Sequence, residues 1–287
     1  MAPDKKNGGS ELEMAPAGGC PGKKGPAIEK LAPNDLSDIK NVVAVMSGKG
    51  GVGKSTVTAI AAIALARAGK KVGILDADLT GPSIPKLFGA TERPTGTEGY
   101  ILPVNSKGLG IKLMSMNLLL QNPEEPVIWR GPIIGNAIKQ FWTDVAWGDV
   151  DYLFVDLPPG TGDAPLTVMQ SLPINGLIMV TAPQELAILV VKKALNMARM
   201  MNIPVYGFIE NMAYFECAKC GEKYEIFGPS RADKVAAETG MKLIARMPVD
   251  PKLTAMSDAG EIEKYESPVL EALAMFFFEY GSAQQGN

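Results

Sequence analysis

The stretch that most limits what this chain can fold into is Ser47-Gly48-Lys49-Gly50-Gly51-Val52-Gly53-Lys54-Ser55-Thr56. From Gly48 to Ser55 it fits G-x-x-x-x-G-K-[ST]. In that pattern glycines let the backbone turn tightly and bring several N–H groups toward one point. A helix that follows such a loop adds its unpaired N-terminal N–H groups and its dipole, so the whole attracts phosphate. Lys54 is placed to bridge outer phosphates, and Ser55 to offer a hydroxyl to magnesium. Gly50, Gly51, Val52, Gly53 and Thr56 complete the expected nucleotide-contacting set. The flanks agree with this reading. Residues 41–46 read as a buried parallel strand, and 57–68 as an Ala-rich helix closed by Gly69.

Further strands end in carboxylates. Residues 71–75 form an apolar run that stops at Asp76-Ala77-Asp78, before Gly81-Pro82-Ser83 and a short helix near Pro85. Residues 151–156 stop at Asp156, followed by Leu157-Pro158-Pro159-Gly160-Thr161-Gly162-Asp163. Ligands of open α/β sheets sit at the carboxyl ends of the strands, so these acids face the crevice of the phosphate loop. Asp156 is then a Walker B carboxylate in the metal's outer shell, and the Pro/Gly segment after it can rearrange when the terminal phosphate leaves. Asp163 is expected to cap the next helix. One Asp of the earlier pair can likewise serve as a cap.

Two strands near 100–104 and 111–115 are expected to make a hairpin at one sheet edge. A helix follows over about 133–145, with Arg130 before it as either an interface or anion contact or a solvated loop residue. Another strand, 176–181, leads into a helix over about 185–201 whose Met197, Met200 and Met201 read as core and edge packing. The strand 205–210 ends at Asn211-Met212, where an amide side chain can pair with an adenine edge. A strand over 242–247 and a helix over 267–280 complete the pattern. Alternation of this kind predicts an α/β fold: a doubly wound, mainly parallel sheet with helices on both faces, the P-loop NTPase arrangement. Residues 1–37, rich in Gly, Pro, Lys and Ala without periodicity, are expected to be a tail carrying Cys20. Residues 38–287 are expected to be one domain.

Composition narrows the function. Nearly half of the 287 residues are hydrophobic, enough for a large core, and the net charge of −3 argues against a broad nucleic-acid footprint. There is no histidine. That removes His general bases, Ser-His-Asp triads, His-ligated zinc and axial-His haem together. Three cysteines, two of them in one C-x-x-C, do not make a disulfide framework, so a reducing compartment, the cytoplasm, is expected. No signal peptide and no membrane-length apolar run is visible. No K-x-D occurs, the element with which guanine-specific phosphate-loop proteins read their base, and this points to ATP. Lys49 reads either as an exposed loop lysine or as a cation offered to phosphates across a dimer interface.

Cys217-Ala218-Lys219-Cys220-Gly221 directs two sulfurs at one ion. A thioredoxin-like pair would open a helix, whereas Gly221-Glu222-Lys223-Tyr224 reads as a hairpin. A closed zinc site within one chain lacks ligands. Two cysteines from each of two chains give four thiolates, which suit a [4Fe–4S] cluster or a Cys₄ zinc equally.

Taken together, the loop from Ser47 to Thr56, Asp76-Ala77-Asp78 with Gly81-Pro82-Ser83, residues 156–163, and Glu210-Asn211-Met212 before Cys217 and Cys220 resemble the Mrp/ApbC-type P-loop ATPases. These are iron–sulfur cluster carriers within the MinD and nitrogenase iron-protein group. The resemblance runs from about Asn41 to the C-terminal helix. It implies a homodimer binding ATP and Mg²⁺. Lys49 would be the signature lysine that reaches phosphates across the dimer, and Asp78 would orient the attacking water. Asp76 and Asp156 would support magnesium, and Asn211 would contact adenine. Cys217 and Cys220 would bridge a labile [4Fe–4S] cluster between subunits. The implied partners are apo iron–sulfur recipients and an assembly scaffold, with no nucleic acid and no membrane. Relatives with an N-terminal ferredoxin-like cluster carry four cysteines there. Cys20 alone implies no second stable cluster within one chain. Two alternatives are a positioning or partition ATPase of the MinD/ParA type and a zinc-bridged dimer whose ATP site controls assembly. The first needs a lipid or DNA surface, yet Phe276-Phe277-Phe278-Glu279-Tyr280-Gly281-Ser282 has no basic residue for anionic lipid.

Overall fold

The computed structural model describes residues 31–78, 81, 83–97, 99–120, 131–183 and 187–284. Cys20, Arg130 and Pro82 lie outside the described residues. In chain order the elements are β1 (Ser37–Ile39), β2 (Val42–Ser47), α1 (Lys54–Arg67), β3 (Val72–Asp76), α2 (Ile84–Leu87), β4 (Thr95–Thr97), β5 (Tyr100–Leu102), β6 (Val104–Asn105) and β7 (Lys112–Ser115). Then come α3 (Gly131–Thr143), β8 (Gly148–Val150), β9 (Tyr152–Asp156), α4 (Asp163–Ser171), β10 (Gly176–Thr181) and α5 (Ala187–Met200). The last are β11 (Val205–Glu216), β12 (Lys223–Tyr224), α6 (Ala232–Thr239), β13 (Leu243–Pro248), α7 (Pro251–Ala259) and α8 (Pro268–Gln284).

Among the described residues, nine strands make one sheet in the order β6-β7-β3-β9-β2-β10-β11, with β12 and β13 both pairing to β11. All pairs are parallel except the edge hairpin β6–β7 and the short β11–β12 ladder. The central strands are apolar without interruption because both faces are covered. Val42, Ala44 and Met46 of β2 enter the core beneath α3, α4, α5 and α6. Val43 and Val45 enter the opposite core, beneath α1, α2, α7 and α8. This is the doubly wound architecture that alternation predicts.

Helix α1 is buried along nearly its whole length, from Lys54 to Leu65, since it lies between the sheet and α8. Phe277 of α8 meets the rings of Tyr152 and Phe154 edge-on, with centroids 5.6 and 5.5 Å away. Residues Leu31–Ile39, most of which the sequence reading assigned to the tail, are tied to the body. The Leu31 carbonyl accepts the Trp142 indole N–H at 2.9 Å, and the Asn34 amide donates to the carbonyls of Thr143 and Val145. β1 pairs with β8 in a separate two-stranded ladder.

Several boundaries depart from expectation. The edge hairpin forms, but from β6 rather than from the whole 100–104 segment, because residues 100–102 pair back to β4. Asp163 is not a cap: Gly162 holds that position and Asp163 is the exposed first residue of α4, where its charge suits the helix dipole. Asn211 does not end its strand, since β11 continues to Glu216. Met197 is buried and Met201 packs on the core, whereas Met200 faces solvent.

Candidate functional site

β2 delivers the chain to the phosphate loop, and α1 begins at Lys54 immediately after it. Gly53 adopts φ 77°, ψ 28°, a left-handed conformation open to glycine at little cost. A side chain there would also strike the amide of Asn211. That amide nitrogen donates to the Val52 carbonyl at 2.9 Å, so β11 is fastened to the loop. Gly50 and Gly51 are exposed, Ser55 and Thr56 half-buried, and Val52 turns its side chain into the core. Lys49 is half-buried; among the described residues no carboxylate lies within salt-bridge distance of its ammonium, and its carbonyl accepts from the Ser47 hydroxyl at 3.0 Å.

The sheet register brings the acids together. Asp76 on β3 lies directly beside Asp156 on β9, and Ser115 on β7 lies beside Asp76. Asp156 is fully buried. Its Oδ2 receives Lys54 Nζ at 2.8 Å and Ser55 Oγ at 2.5 Å, and its Oδ1 receives Thr58 Oγ1 at 2.8 Å. Asp76 is equally buried and accepts from the N–H groups of Asp78 and Ile84 and from the Ser115 hydroxyl. Burial pushes the Asp76 carboxyl up to about 8, and the neighbouring Asp156 charge adds to this while Lys54 opposes it. Asp78 Oδ2 stands 3.9 Å from Lys54 Nζ. Beyond β9, the Gly160 N–H donates to the Ser47 carbonyl at 2.8 Å, so the Pro/Gly segment abuts the phosphate loop.

The donors here are carboxylate and hydroxyl oxygens, the set a hard divalent cation prefers. Among the described residues no three His, Cys, Asp or Glu side chains enclose a metal by themselves. The carboxylate and hydroxyl donors suit magnesium, which takes one or two carboxylates and completes its shell with water and phosphate oxygens.

β11 leads from this cluster to the cysteines. Cys217 lies six residues past Asn211, at most about 20 Å along an extended strand. Cys217 is half-buried and Cys220 exposed, both as free thiols. The Cys217 N–H donates to the Glu222 carbonyl at 2.9 Å and the Gly221 N–H to the Cys217 carbonyl at 2.8 Å. Phe215 and Glu216 then pair antiparallel with Tyr224 and Lys223, the hairpin that the sequence predicts. Hydrogen bonds from the N–H groups of Lys219 and Cys220, and from the Cys220 side chain, hold the Cys217 thiol below the usual range.

Three polar residues of this region receive no role from the sequence. Thr58 lies one helical turn after Lys54, a spacing that places both on one face and was legible. Ser115 sits at the carboxyl end of β7, as the acids do on theirs. Glu210, 1% exposed, accepts from Ser230 Oγ at 2.6 Å, the Arg231 N–H at 3.2 Å and Arg246 Nε at 3.1 Å. In the sequence it stands only as a member of Glu210-Asn211-Met212, with no role of its own.

Comparison with known proteins agrees with the geometry. A family model described as "ParA: NUBPL iron-transfer P-loop NTPase" matches residues 38–277. An iron-sulfur cluster carrier protein of Methanocaldococcus jannaschii is 50% identical over 228 residues, covering 79% of this chain and 78% of that protein. One of Clostridium perfringens is 46% identical over 250 residues, covering 84% and 87%. A nucleotide-binding protein of Archaeoglobus fulgidus, solved in complex with ADP, is 48% identical with a TM-score of 0.74, covering 81% of this chain and 91% of that one. The cell division protein MinD of Aquifex aeolicus, 23% identical with a TM-score of 0.59, shares the fold. Phosphate loop, paired acids, cysteine hairpin and family match converge: the chain belongs to the iron-transfer P-loop NTPases, and is an ATPase of the iron–sulfur cluster carrier group.

Proposed function

We propose that two copies of this chain bind one [4Fe–4S] cluster between them and pass it to apo-proteins under the control of ATP. The observation that carries this reading is the continuity of β11, fastened to the phosphate loop at Asn211 and ending at Glu216, immediately before Cys217. A change at the nucleotide therefore reaches the cysteine hairpin through one strand.

The roles follow from position. The N–H groups of residues 50–56 receive the phosphates, and Lys54 exchanges its ion pair with Asp156 for the outer phosphate oxygens. Ser55, Asp76 and Asp156 are the residues that would hold magnesium. When bound, magnesium neutralises charge developing on the phosphate oxygens. Asp78 orients the attacking water, and Lys49 of one copy supports the phosphates bound to the other. Asn211, whose second N–H and carbonyl are not used by Val52, contacts adenine.

The cluster is cargo. Its release is ligand exchange: recipient thiolates replace Cys217 and Cys220 of both copies, and iron and sulfide pass across without net oxidation. Turnover is slow, because a switch of this kind needs dwell time. The recipients are apo iron–sulfur proteins, loading comes from an assembly scaffold, and the setting is a reducing cytoplasm. Among the described residues no helix is long and apolar enough to cross a membrane.

The test is anaerobic transfer from loaded protein to an apo-protein whose activity requires a [4Fe–4S] cluster, with and without Mg·ATP. Activation whose rate depends on ATP is expected. Recovery no faster than from free iron and sulfide would overturn the reading.

A further inference from the structure

The cysteine hairpin ends in a turn of unusual chemistry. The Gly228 N–H donates to the Glu225 carbonyl at 2.9 Å, closing a turn with Ile226 and Phe227 at its corners. Tight turns favour Gly, Pro, Asn, Asp and Ser at such positions. Here both corners are large and apolar, and they are 55% and 46% exposed. The turn is nevertheless fixed. Glu225 accepts from the Ser230 N–H and faces Arg246 at 3.5 Å. Arg246 in turn pairs with buried Glu210, which also holds Ser230 and Arg231. A buried carboxylate costs stability unless its partners are complete. What this one secures is the position of an exposed apolar turn. Preorganised apolar side chains of this kind are how interfaces concentrate binding energy.

We propose that Ile226 and Phe227 are the apolar anchor of the contact between two copies of this chain. The proposal rests on the reading of Cys217 and Cys220 as half of a shared centre. The occupant follows from the ligand count. Two thiolates come from one chain, and a four-thiolate centre takes the other two from the same patch of a second copy related by a twofold axis. Only Glu222 and the two-residue strand β12 separate the two turns, so at most about 13 Å of extended chain lies between them. A second copy that supplies its cysteines therefore stands over Ile226 and Phe227 as well. The flanking charges are of both signs, Lys219 and Lys223 against Glu222 and Glu225, so the patch can face itself without net repulsion.

The experiment compares the full wild-type chain with Ile226→Ser/Phe227→Ser and Ile226→Leu/Phe227→Leu. All are reconstituted anaerobically with iron and sulfide, then followed by sedimentation velocity and iron analysis, with ADP binding as the check on folding. Wild type and the leucine pair should be dimers with one cluster per two chains. The serine pair should dissociate at least about tenfold more readily and lose iron in proportion. Should the serine pair fail to bind ADP, Phe227→Ala alone is read the same way. A serine pair that binds ADP and assembles as wild type overturns the proposal. So does one that keeps dimer and cluster but fails only in transfer, because a recipient then occupies the patch. A wild-type dimer held by zinc and lost in the serine pair keeps the anchor and sinks the iron–sulfur reading. A wild type that loads its cysteines as a monomer sinks both.

Discussion

The amide of Asn211 fills the space that a side chain on Gly53 would need, and donates from that position to the Val52 carbonyl. A Cβ on residue 53 and the amide of residue 211 thus exclude each other. Gly53→Ala should lower stability by about 1–3 kcal/mol through left-handed strain, and more through the collision with Asn211. The collision part should vanish in Gly53→Ala/Asn211→Ala. Denaturant unfolding of the four proteins gives the cycle, and the double variant should lose less than the sum of the singles.

Asp76 provides a pH dependence. Its carboxyl is raised to about 8 in the folded chain by burial first and by Asp156 next, against an ordinary carboxylate in the unfolded one. The unfolded state therefore gives up its proton first. Stability from this group is full below about pH 4 and lost as pH rises toward 8. In EDTA without nucleotide, Asp76→Asn should unfold at a higher temperature than wild type at pH 8. The gap should narrow toward pH 5. Equal gaps at both pH values would mean that Asp76 stays ionised throughout.

Lys49 has no ion-pair partner among the described residues of its own chain. Lys49→Ala should leave ADP binding by one chain within a few-fold of wild type. ATP turnover should fall by about 10³-fold, the scale of a cation supplied across an interface. Calorimetry and a phosphate-release assay separate the two. A matching loss in ADP affinity would place Lys49 on its own chain's nucleotide.

Cys217 should react as an acidic thiol. With Cys20 and Cys220 replaced by serine, alkylation of metal-free protein by iodoacetamide reports Cys217 alone. Its rate should rise with pH and reach half its plateau at a lower pH than that of a free cysteine in an unfolded peptide. The N–H donors of the turn favour the thiolate. A midpoint at or above that value would show that the turn does not stabilise the anion.

Most of the site was legible because it lies where apolar strands end. β2, β3, β9 and β10 are uninterrupted hydrophobic runs, and Asp76 and Asp156 stand at the ends of two of them. The polar ladder of β1 with β8 offers no such run. Helix α7 did carry a signal, since Asp250 caps it through the Lys252 N–H and Gly260 closes it in a left-handed conformation. The sequence ends β11 at Glu210 because Asn211 resembles a terminator; in the structure Met212 takes a positive φ of 57°, a turn-like feature inside the strand. Its continuation is fixed by tertiary pairing with β13 and β12, which local sequence does not encode. The Glu210 network is hidden for the same reason, as its partners lie 20 to 36 positions away in the chain.

Cys217 and Cys220 of two chains are proposed to share one cluster. Anaerobic reconstitution with iron and sulfide, read by Mössbauer and visible spectra on wild type and Cys220→Ser, tests this most directly. One [4Fe–4S] cluster per two chains is expected in wild type and none in the variant. Stoichiometric zinc that resists replacement, with no cluster in either protein, would contradict it.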